Sequence, residues 1–244
     1  MDQIGLLLLD IGQEERQVDI MRQVLAEQPN FTPFTAFKAL AMGGVNFKQL
    51  SAFLTKNNVV HNKFEVAWLV KSIDLDLDGV VGYKDFLQFV GYKHRPGGMQ
   101  SEVWEKLQKA EMGVDVEYAL ARLFERELDM HRKIENQKSD IINSEISIQE
   151  SYFYIFSEKW LKDGFTFKSL KSFLVKQCEF EVLDEEVKAI FRRIDRDQDG
   201  IVSCRDYANS MMPLHSDKRE QVNWMNCKLK CIKEHSVSKL NLTD

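Results

Sequence analysis

The 244-residue chain has few residues that interrupt helices, with only four prolines and twelve glycines. Long stretches are rich in Glu, Lys, Gln, Leu and Ala, and these residues favour helix, so the composition predicts an all-α fold. Cysteine is also scarce. Cys178, Cys204, Cys227 and Cys231 do not form the framework of a secreted disulfide-bonded protein, so we expect a reducing, cytoplasmic environment.

Three further absences narrow the functional classes. No window approaches 18 apolar residues, and Asp2 stands where a signal peptide would have Lys or Arg, so we expect neither a membrane helix nor a secretory signal. A formal net charge of -5 lacks the basic footprint of a nucleic-acid-binding protein. Without a motif for a catalytic nucleophile, a phosphate loop or HExxH, we expect no enzymatic activity and no catalytic residue. The partners that remain are proteins.

Acidic residues at alternate positions form a loop that occurs twice. The first acidic loop is DLDLDGVVGYKD, residues 74–85, and the second acidic loop is DRDQDGIVSCRD, residues 195–206. A hard cation needs six to eight oxygens, and this spacing, with a glycine at the sharp turn, matches the template of a calcium loop. The predicted ligands are Asp74, Asp76, Asp78, Asp85 and the carbonyl of Val80 in the first, and Asp195, Asp197, Asp199, Ser203, Asp206 and the carbonyl of Ile201 in the second.

Helical patterns flank both acidic loops. KFEVAWLVKSI precedes the first, with Phe64, Ala67 and Trp68 available to one face, and DEEVKAIFRRI precedes the second. Val81 and Val202 stand at loop position 8, where a short β contact with a neighbouring loop is expected. The loops and their helices together resemble the EF-hand family, the calmodulin superfamily. This resemblance implies paired helix–loop–helix hands that bind Ca²⁺.

A larger repeat gives each acidic loop an upstream companion. FKQLSAFL at 47–54 matches FKSLKSFL at 167–174, which places degenerate loops at roughly 39–50 and 158–170. Gln49 and Ser169 stand where the terminal acid belongs, so we predict that neither degenerate loop binds metal. Their expected role is packing, through Phe34, Phe37, Phe47 and Phe53 in one lobe and Phe153, Phe156, Phe167 and Phe173 in the other.

The repeat extends further towards the N-terminus, because ERQVDIMR at 15–22 aligns with ERELDMHR at 125–132. Each repeat is therefore a leading helix, a degenerate hand and an intact hand. The predicted domains are a leading helix (1–29), an N-terminal EF-hand pair (30–97), a long linking helix (98–149), a C-terminal EF-hand pair (150–213) and a basic amphipathic tail (214–244). In the first leading helix, Leu7, Ile11, Val18, Met21 and Leu25 fall near one face.

The C-terminal tail has an apolar stripe at helical spacing with basic residues around it. Such a helix can dock in a groove of this protein's own lobes or on an acidic partner, and the stripe alone does not choose between them. The predicted partner-binding residues are Lys218, Arg219, Val222, Met225, Lys228, Leu229 and Ile232.

Two segments outside the loops suggest a place in the cell. EQPNFTPFTAFKAL and ALARLFERELDMHRKIENQK are similar to the EF-hand proteins that line the inside of doublet microtubules in protist cilia. This similarity implies a structural or regulatory component of the ciliary axoneme, with tubulin and other axonemal proteins as partners. The alternative is a soluble calcium sensor that binds an amphipathic helix of a target protein. A calcium buffer fits less well, because two sites on 28.5 kDa give little capacity.

The last residue of each acidic loop affects the choice of ion. Asp85 and Asp206 both stand where Glu is usual, and Asp is one methylene shorter. The shorter side chain should reach the ion less easily with both oxygens, which lowers the coordination number from about seven towards six. We therefore expect Ca²⁺ as the cofactor, with Mg²⁺ as a second candidate.

Overall fold

The protein is described by a computed structural model over residues 2–41, 43–76, 78–91, 111–143, 151–152, 155, 164–195 and 198–211. Within these ranges the fold is all-α, as the composition predicts. None of the helices in these ranges has the length and apolar character needed to cross a bilayer.

The named helices follow the order of the predicted repeat. They are α1 (Asp2–Ala26), α2 (Pro33–Leu40), α3 (Phe47–Lys56), α4 (Lys63–Ile73), α5 (Tyr83–Phe89), α6 (Val114–Asn143), α7 (Phe167–Lys176), α8 (Asp184–Ile194) and α9 (Cys204–Met211). Residues 111–113 are not helical, so the described part of the long linking helix begins at Val114.

The chain divides into two compact units, and the division passes through α1 and α6. The N-terminal unit is Glu14–Lys133, and the C-terminal unit combines Met1–Gln13 with Ile134–Asp244. Each of the two long helices therefore contributes one segment to each unit. This grouping differs from the domain segments predicted from the sequence, which place each long helix in one segment and remain a prediction.

Side-chain caps explain where the short helices of the N-terminal unit begin. Thr32 accepts a hydrogen bond from the Thr35 amide at the start of α2, and Pro33 occupies the first turn, where its missing N–H costs nothing. Asn46 and Asn62 form capping boxes at the starts of α3 and α4. These caps fix where the two helices that flank the first degenerate loop begin, and where the helix that leads into the first acidic loop begins.

An aromatic cluster fills the core of the N-terminal unit. Phe37 lies 5.5 Å from Phe86 between ring centroids, and Phe53 lies 5.9 Å from Phe124. The predicted burial of Phe37 and Phe53 is confirmed. The prediction for Phe47 is wrong, since its side chain is 38% exposed at the first residue of α3, at the end of that helix's buried face.

Of the three residues predicted on one face of α4, Trp68 is half-buried and stacks on His131 of α6 at 3.8 Å, whereas the other two are exposed. Phe64 is 55% exposed and Ala67 is exposed. The buried residues of α4 are Val66, Leu69, Val70 and Ile73, which recur at helical spacing and form an aliphatic face.

The C-terminal unit packs three aromatic rings around one buried hydroxyl. Tyr207 lies 5.5 Å from Tyr152 and 5.9 Å from Phe165, and its hydroxyl is hydrogen bonded to Ser151 Oγ at 2.8 Å. Burial raises the pKa of Tyr207, so the phenol stays neutral. Phe173 is buried as predicted and Phe167 is half-buried, while Phe153 and Phe156 lie outside the described residues.

The predicted buried face of α1 is confirmed at four of its five positions. Leu7, Ile11, Val18 and Leu25 are buried, and Met21 is half-buried.

Candidate metal centre

The first acidic loop begins where α4 ends. Asp74 caps the C-terminus of α4, and its Oδ2 accepts a hydrogen bond of 2.8 Å from the amide of Gly79. Gly79 has φ +90, a conformation that favours glycine, and it turns the chain back towards Asp74. Asp78 Oδ1 accepts from the Val80 amide at 2.8 Å. These bonds fold the loop around its own carboxylates.

The folded loop places three carboxylates at one point. Asp74, Asp76 and Asp78 each offer an oxygen, and these oxygens all lie within 4.8 Å of one another. Calcium binds oxygens at about 2.3–2.6 Å, so two ligands on opposite sides of one ion are separated by roughly 5 Å. Three anionic oxygens within that span suit a single calcium ion, and that these three residues bind it remains a prediction.

The surroundings of Asp76 in the first acidic loop raise its pKa. A hydrogen bond from the Asp78 amide lowers the pKa of Asp76, but desolvation and the charge of Asp78 outweigh it, and the net result is a raised pKa. Nearby negative charges favour the protonated form, because they make each further ionisation less favourable. A bound cation would remove this repulsion, which is the electrostatic reason for such a cluster.

The second acidic loop repeats the same local hydrogen bonds. Asp195 caps the end of α8, and its Oδ2 accepts from the Gly200 amide at 3.0 Å. Asp199 Oδ1 accepts from the Ile201 amide at 2.7 Å, and Gly200 has φ +86. Asp197, the remaining predicted carboxylate of this group, lies outside the described residues.

Each acidic loop is joined to its degenerate neighbour by a short β bridge. Val81 pairs with Val45 through two hydrogen bonds of 2.9 Å, and Val202 pairs with Phe165 through bonds of 2.8 and 3.1 Å. The β contact expected at loop position 8 is thereby confirmed in both lobes. The degenerate loops therefore support the acidic loops through the backbone, which requires no acidic side chain.

The terminal aspartates also act as helix caps, a role that the sequence analysis missed. Asp85 Oδ2 accepts a hydrogen bond of 2.8 Å from the amide of Gly82 at the start of α5. Asp206 Oδ2 accepts from both the amide of Ser203, at 3.2 Å, and its hydroxyl, at 2.5 Å. One oxygen of each carboxylate is therefore occupied near the helix start, and for Asp206 the pattern S-x-x-D was the available sequence signal.

The first degenerate loop keeps this cap without the charge, and the second has a contact between hydroxyls at the equivalent position. Gln49 Oε1 accepts from the Asn46 amide at 2.8 Å, and Thr166 Oγ1 lies 3.3 Å from Ser169 Oγ. Gln49 therefore caps its helix as Asp85 and Asp206 do, while in the second degenerate loop Thr166 Oγ1 is the cap and accepts from the Ser169 amide at 3.4 Å. That neither degenerate loop binds metal remains a prediction.

This geometry defines a class: helix–loop–helix pairs with a divalent-cation loop in one member of each pair. A family model of the EF-hand domain pair matches residues 46–90 and 162–212, which identifies both segments as EF-hand pairs and Ca²⁺ as the cation they bind. Neither the comparison with curated proteins nor that with solved structures finds a significant match.

The structure does not test the partner-binding site predicted in the C-terminal tail. The seven partner-binding residues predicted in the C-terminal tail all lie between 218 and 232, outside the described residues.

Proposed function

We propose that this EF-hand protein is a calcium-stiffened structural component of a larger protein assembly. The observation that supports the proposal is that the chain's own long helices occupy the apolar side of the N-terminal EF-hand pair. In calcium sensors, that side opens to take a helix from a target protein. Here the position of a target helix is already filled.

Phe124 of α6 is the centre of this occupancy. Its ring stacks on Phe89 of α5 at 5.1 Å with an interplanar angle of 12°, and it meets Phe53 of α3 edge-on at 5.9 Å. On α4, Trp68 stacks on His131 of α6 at 3.8 Å. The N-terminal segment of α6 thus contacts three of the four helices of the EF-hand pair.

Arg22 of α1 fixes the helix that leaves the first acidic loop. Its Nε donates to the carbonyl of Phe89 at the end of α5, at 2.7 Å. Its Nη1 is 2.7 Å from both Glu15 and Asp19, and its Nη2 is 3.3 Å from Glu127 of α6. Burial alone would lower the pKa of Arg22. The negative charges of Glu15 and Glu127 act in the opposite direction, and the net result is a raised pKa, so the guanidinium remains charged.

Arg132 and Glu117 of α6 hold the opposite side of the pair. Arg132 binds Glu65 at the start of α4 with contacts of 2.7 and 3.2 Å, and it donates to the carbonyl of Val60 at 2.7 Å. Glu117 pairs with Lys56 at 2.6 Å, at the end of α3. The helix that precedes the first acidic loop and the helix that follows it are therefore both tied to the long helices.

These contacts oppose the change in helix angle on which a calcium sensor depends. An ion bound in the first acidic loop would stiffen a lobe that is already held closed, so calcium acts on stability more than on shape. The terminal aspartates support the same proposal, because a carboxylate shared with a helix cap should bind calcium less tightly and tolerate Mg²⁺. A binding role, rather than a catalytic one, remains a prediction.

We place the assembly in the ciliary axoneme, with tubulin and neighbouring axonemal proteins as the partners. The two segments that are similar to luminal EF-hand proteins of doublet microtubules support this location. Localisation of a tagged copy, together with co-sedimentation of the purified chain with microtubules, tests it. A tagged copy confined to the cytosol would count against the axonemal role.

A calcium titration tests the structural role separately. The purified chain is titrated with calcium and then with magnesium, while an apolar dye reports newly exposed surface. We expect thermal stabilisation with little added dye fluorescence. The variant Asp74→Asn, which weakens the first acidic loop, serves as the control. A large calcium-dependent rise in dye binding that this variant abolishes would show that the lobe opens, and it would overturn the proposal.

A further inference from the structure

We propose that the N-terminal EF-hand pair has a docking face for an acidic polypeptide segment, formed by α3 and α4. The lysine face consists of Lys48 and Lys56 on α3 and Lys63 and Lys71 on α4, and all four side chains are exposed. This docking face rests on the proposed structural role in an assembly, and the acidic segment would belong to a partner in that assembly.

The two helices present their lysines in the same pattern. On α3, Lys48, Ala52 and Lys56 are four residues apart and all exposed, so they share one face of the helix. On α4, Lys63, Ala67 and Lys71 have the same spacing and are also exposed. α3 packs against α4. Because the alanine side chains are small, the helix surface between the lysines is accessible to an approaching chain.

Outside the acidic loop, lysines outnumber carboxylates on this lobe. Outside the acidic loop, residues 44–90 contain four lysines and one carboxylate, Glu65, which is held by Arg132. Among the residues that the structure describes, no carboxylate pairs with Lys48 or Lys63. Lys56 pairs with Glu117, yet its side chain remains 70% exposed. Lys48 and Lys63 are therefore available to an external anion.

The second repeat lacks this imbalance. Residues 164–211, again without the acidic loop, contain six basic side chains and five carboxylates. Asp184 occupies the position on α8 that Lys63 occupies on α4, and it pairs with Lys171 at 2.5 Å. Lys188 pairs with Glu185 at 2.7 Å. Two lobes of the same fold thus differ in surface charge, which points to a partner for one lobe only.

An acidic polypeptide fits this face better than a nucleic acid or a membrane. Lysines eight residues apart on a helix are about 12 Å apart, and carboxylates four residues apart on an extended peptide are about 13 Å apart. Asp74, Asp76 and Asp78 follow α4 directly and would repel a phosphate backbone or an anionic bilayer that covered the whole lobe. A peptide can place its carboxylates opposite the lysines alone. Phe64 is 55% exposed, and the Lys63 ammonium lies over its ring at 5.1 Å from the centroid, so a peptide carboxylate at Lys63 would also meet apolar surface.

A binding experiment with the full chain tests the inference. The probe is a fluorescent peptide of about ten residues in which Glu alternates with Ser, and its Gln analogue is the neutral control. We expect binding that weakens with added salt, because exposed charges are screened. The double variant Lys48→Glu, Lys63→Glu should weaken binding by about tenfold or more, since it reverses two charges. Bound calcium should strengthen binding by offsetting the negative charge of the first acidic loop.

The matched control reverses two lysines of the second repeat. In the repeat alignment Lys168 and Lys176 correspond to Lys48 and Lys56, so the variant Lys168→Glu, Lys176→Glu makes the same change in net charge. We expect this control to bind the peptide within about twofold of the parent chain. Circular dichroism and a calcium titration verify that both variants fold. The calcium titration also distinguishes a failure of the peptide-docking inference from a failure of the proposed structural role.

Three results would overturn the inference. The peptide does not bind, the two double variants weaken binding equally, or anionic vesicles or RNA bind through Lys48 and Lys63 more tightly than the peptide does.

Discussion

The sharpest prediction concerns Arg22, because so much of the N-terminal unit converges on one guanidinium. Arg22 is 14% exposed, and its partners Glu15 and Glu127 are each only 2% exposed. Replacing Arg22 by Met keeps most of the apolar volume but leaves two buried carboxylates without their arginine. Removing one partner of a buried ion pair costs about 3–5 kcal/mol, against about 0–1 kcal/mol for an exposed pair. We therefore expect the variant to lose at least about 3 kcal/mol.

The loss should be visible in two assays. At about 2–4 °C for each kcal/mol, a protein of this size should melt roughly 10 °C lower. Hydrogen–deuterium exchange should also accelerate in α5, because the Phe89 carbonyl loses the donor that holds the end of that helix. Arg132→Met is the matched control. Arg132 is 35% exposed, so its loss should cost about 1 kcal/mol or less.

A rescue variant separates buried charge from lost packing. Arg22→Met combined with Glu15→Gln and Glu127→Gln also removes the two carboxylate charges that lose their arginine, and it should recover part of the loss. A cost below about 1 kcal/mol for Arg22→Met alone, or no recovery in the triple variant, would refute the reasoning.

Three other expectations concern the same two lobes. Phe124→Ala should destabilise the N-terminal unit by about 3–5 kcal/mol and increase apolar dye binding, measured by denaturation and dye titration, because it leaves a cavity between helices; unchanged stability would contradict the proposed packing. The hydrogen bond from Arg132 lowers the pKa of Glu65, so this pair stabilises the fold fully above pH 4.5, and that stability is lost as the pH falls through the lowered pKa. Denaturation of the parent chain and of Glu65→Gln across that range should show a smaller acid loss in the variant, and equal losses would contradict this. Asp206→Glu should raise calcium affinity, measured by calorimetry, on the order of tenfold, because the longer side chain can reach the ion while the Ser203 hydroxyl still caps the helix. If affinity does not rise, the shorter side chain is not the reason for weak calcium binding.

The metal loops could be predicted because their information is local. Alternating acids and a glycine specify both the candidate ligands and the turn, and the structure brings Asp74, Asp76 and Asp78 together. The β bridges at Val81 and Val202 follow from the same register. No long-range contact is needed for any of these predictions.

The errors arise where several helical faces are equally apolar. Phe64 and Phe47 are apolar and adjacent to plausible core positions, yet both remain exposed. The choice of face in α4 depends on Val66 and Leu69 meeting the rest of the lobe, which is a tertiary fact. Similarly, nothing near Arg22 in the sequence indicates that it donates to the Phe89 carbonyl, 67 residues away.

The division of α1 between the two units has a consequence for biosynthesis. Residues 1–13 are synthesised before residues 14–133, yet they belong to a unit whose other residues begin at Ile134. A Cβ at Gly5 would lie 2.7 Å from the Phe180 ring, and one at Gly12 would lie 2.6 Å from Ile190. These glycines therefore pack directly against residues that are translated much later. The N-terminal unit can close as soon as residue 133 has emerged. The first thirteen residues must wait, exposed to chaperones and proteases, until the C-terminal lobe has been translated.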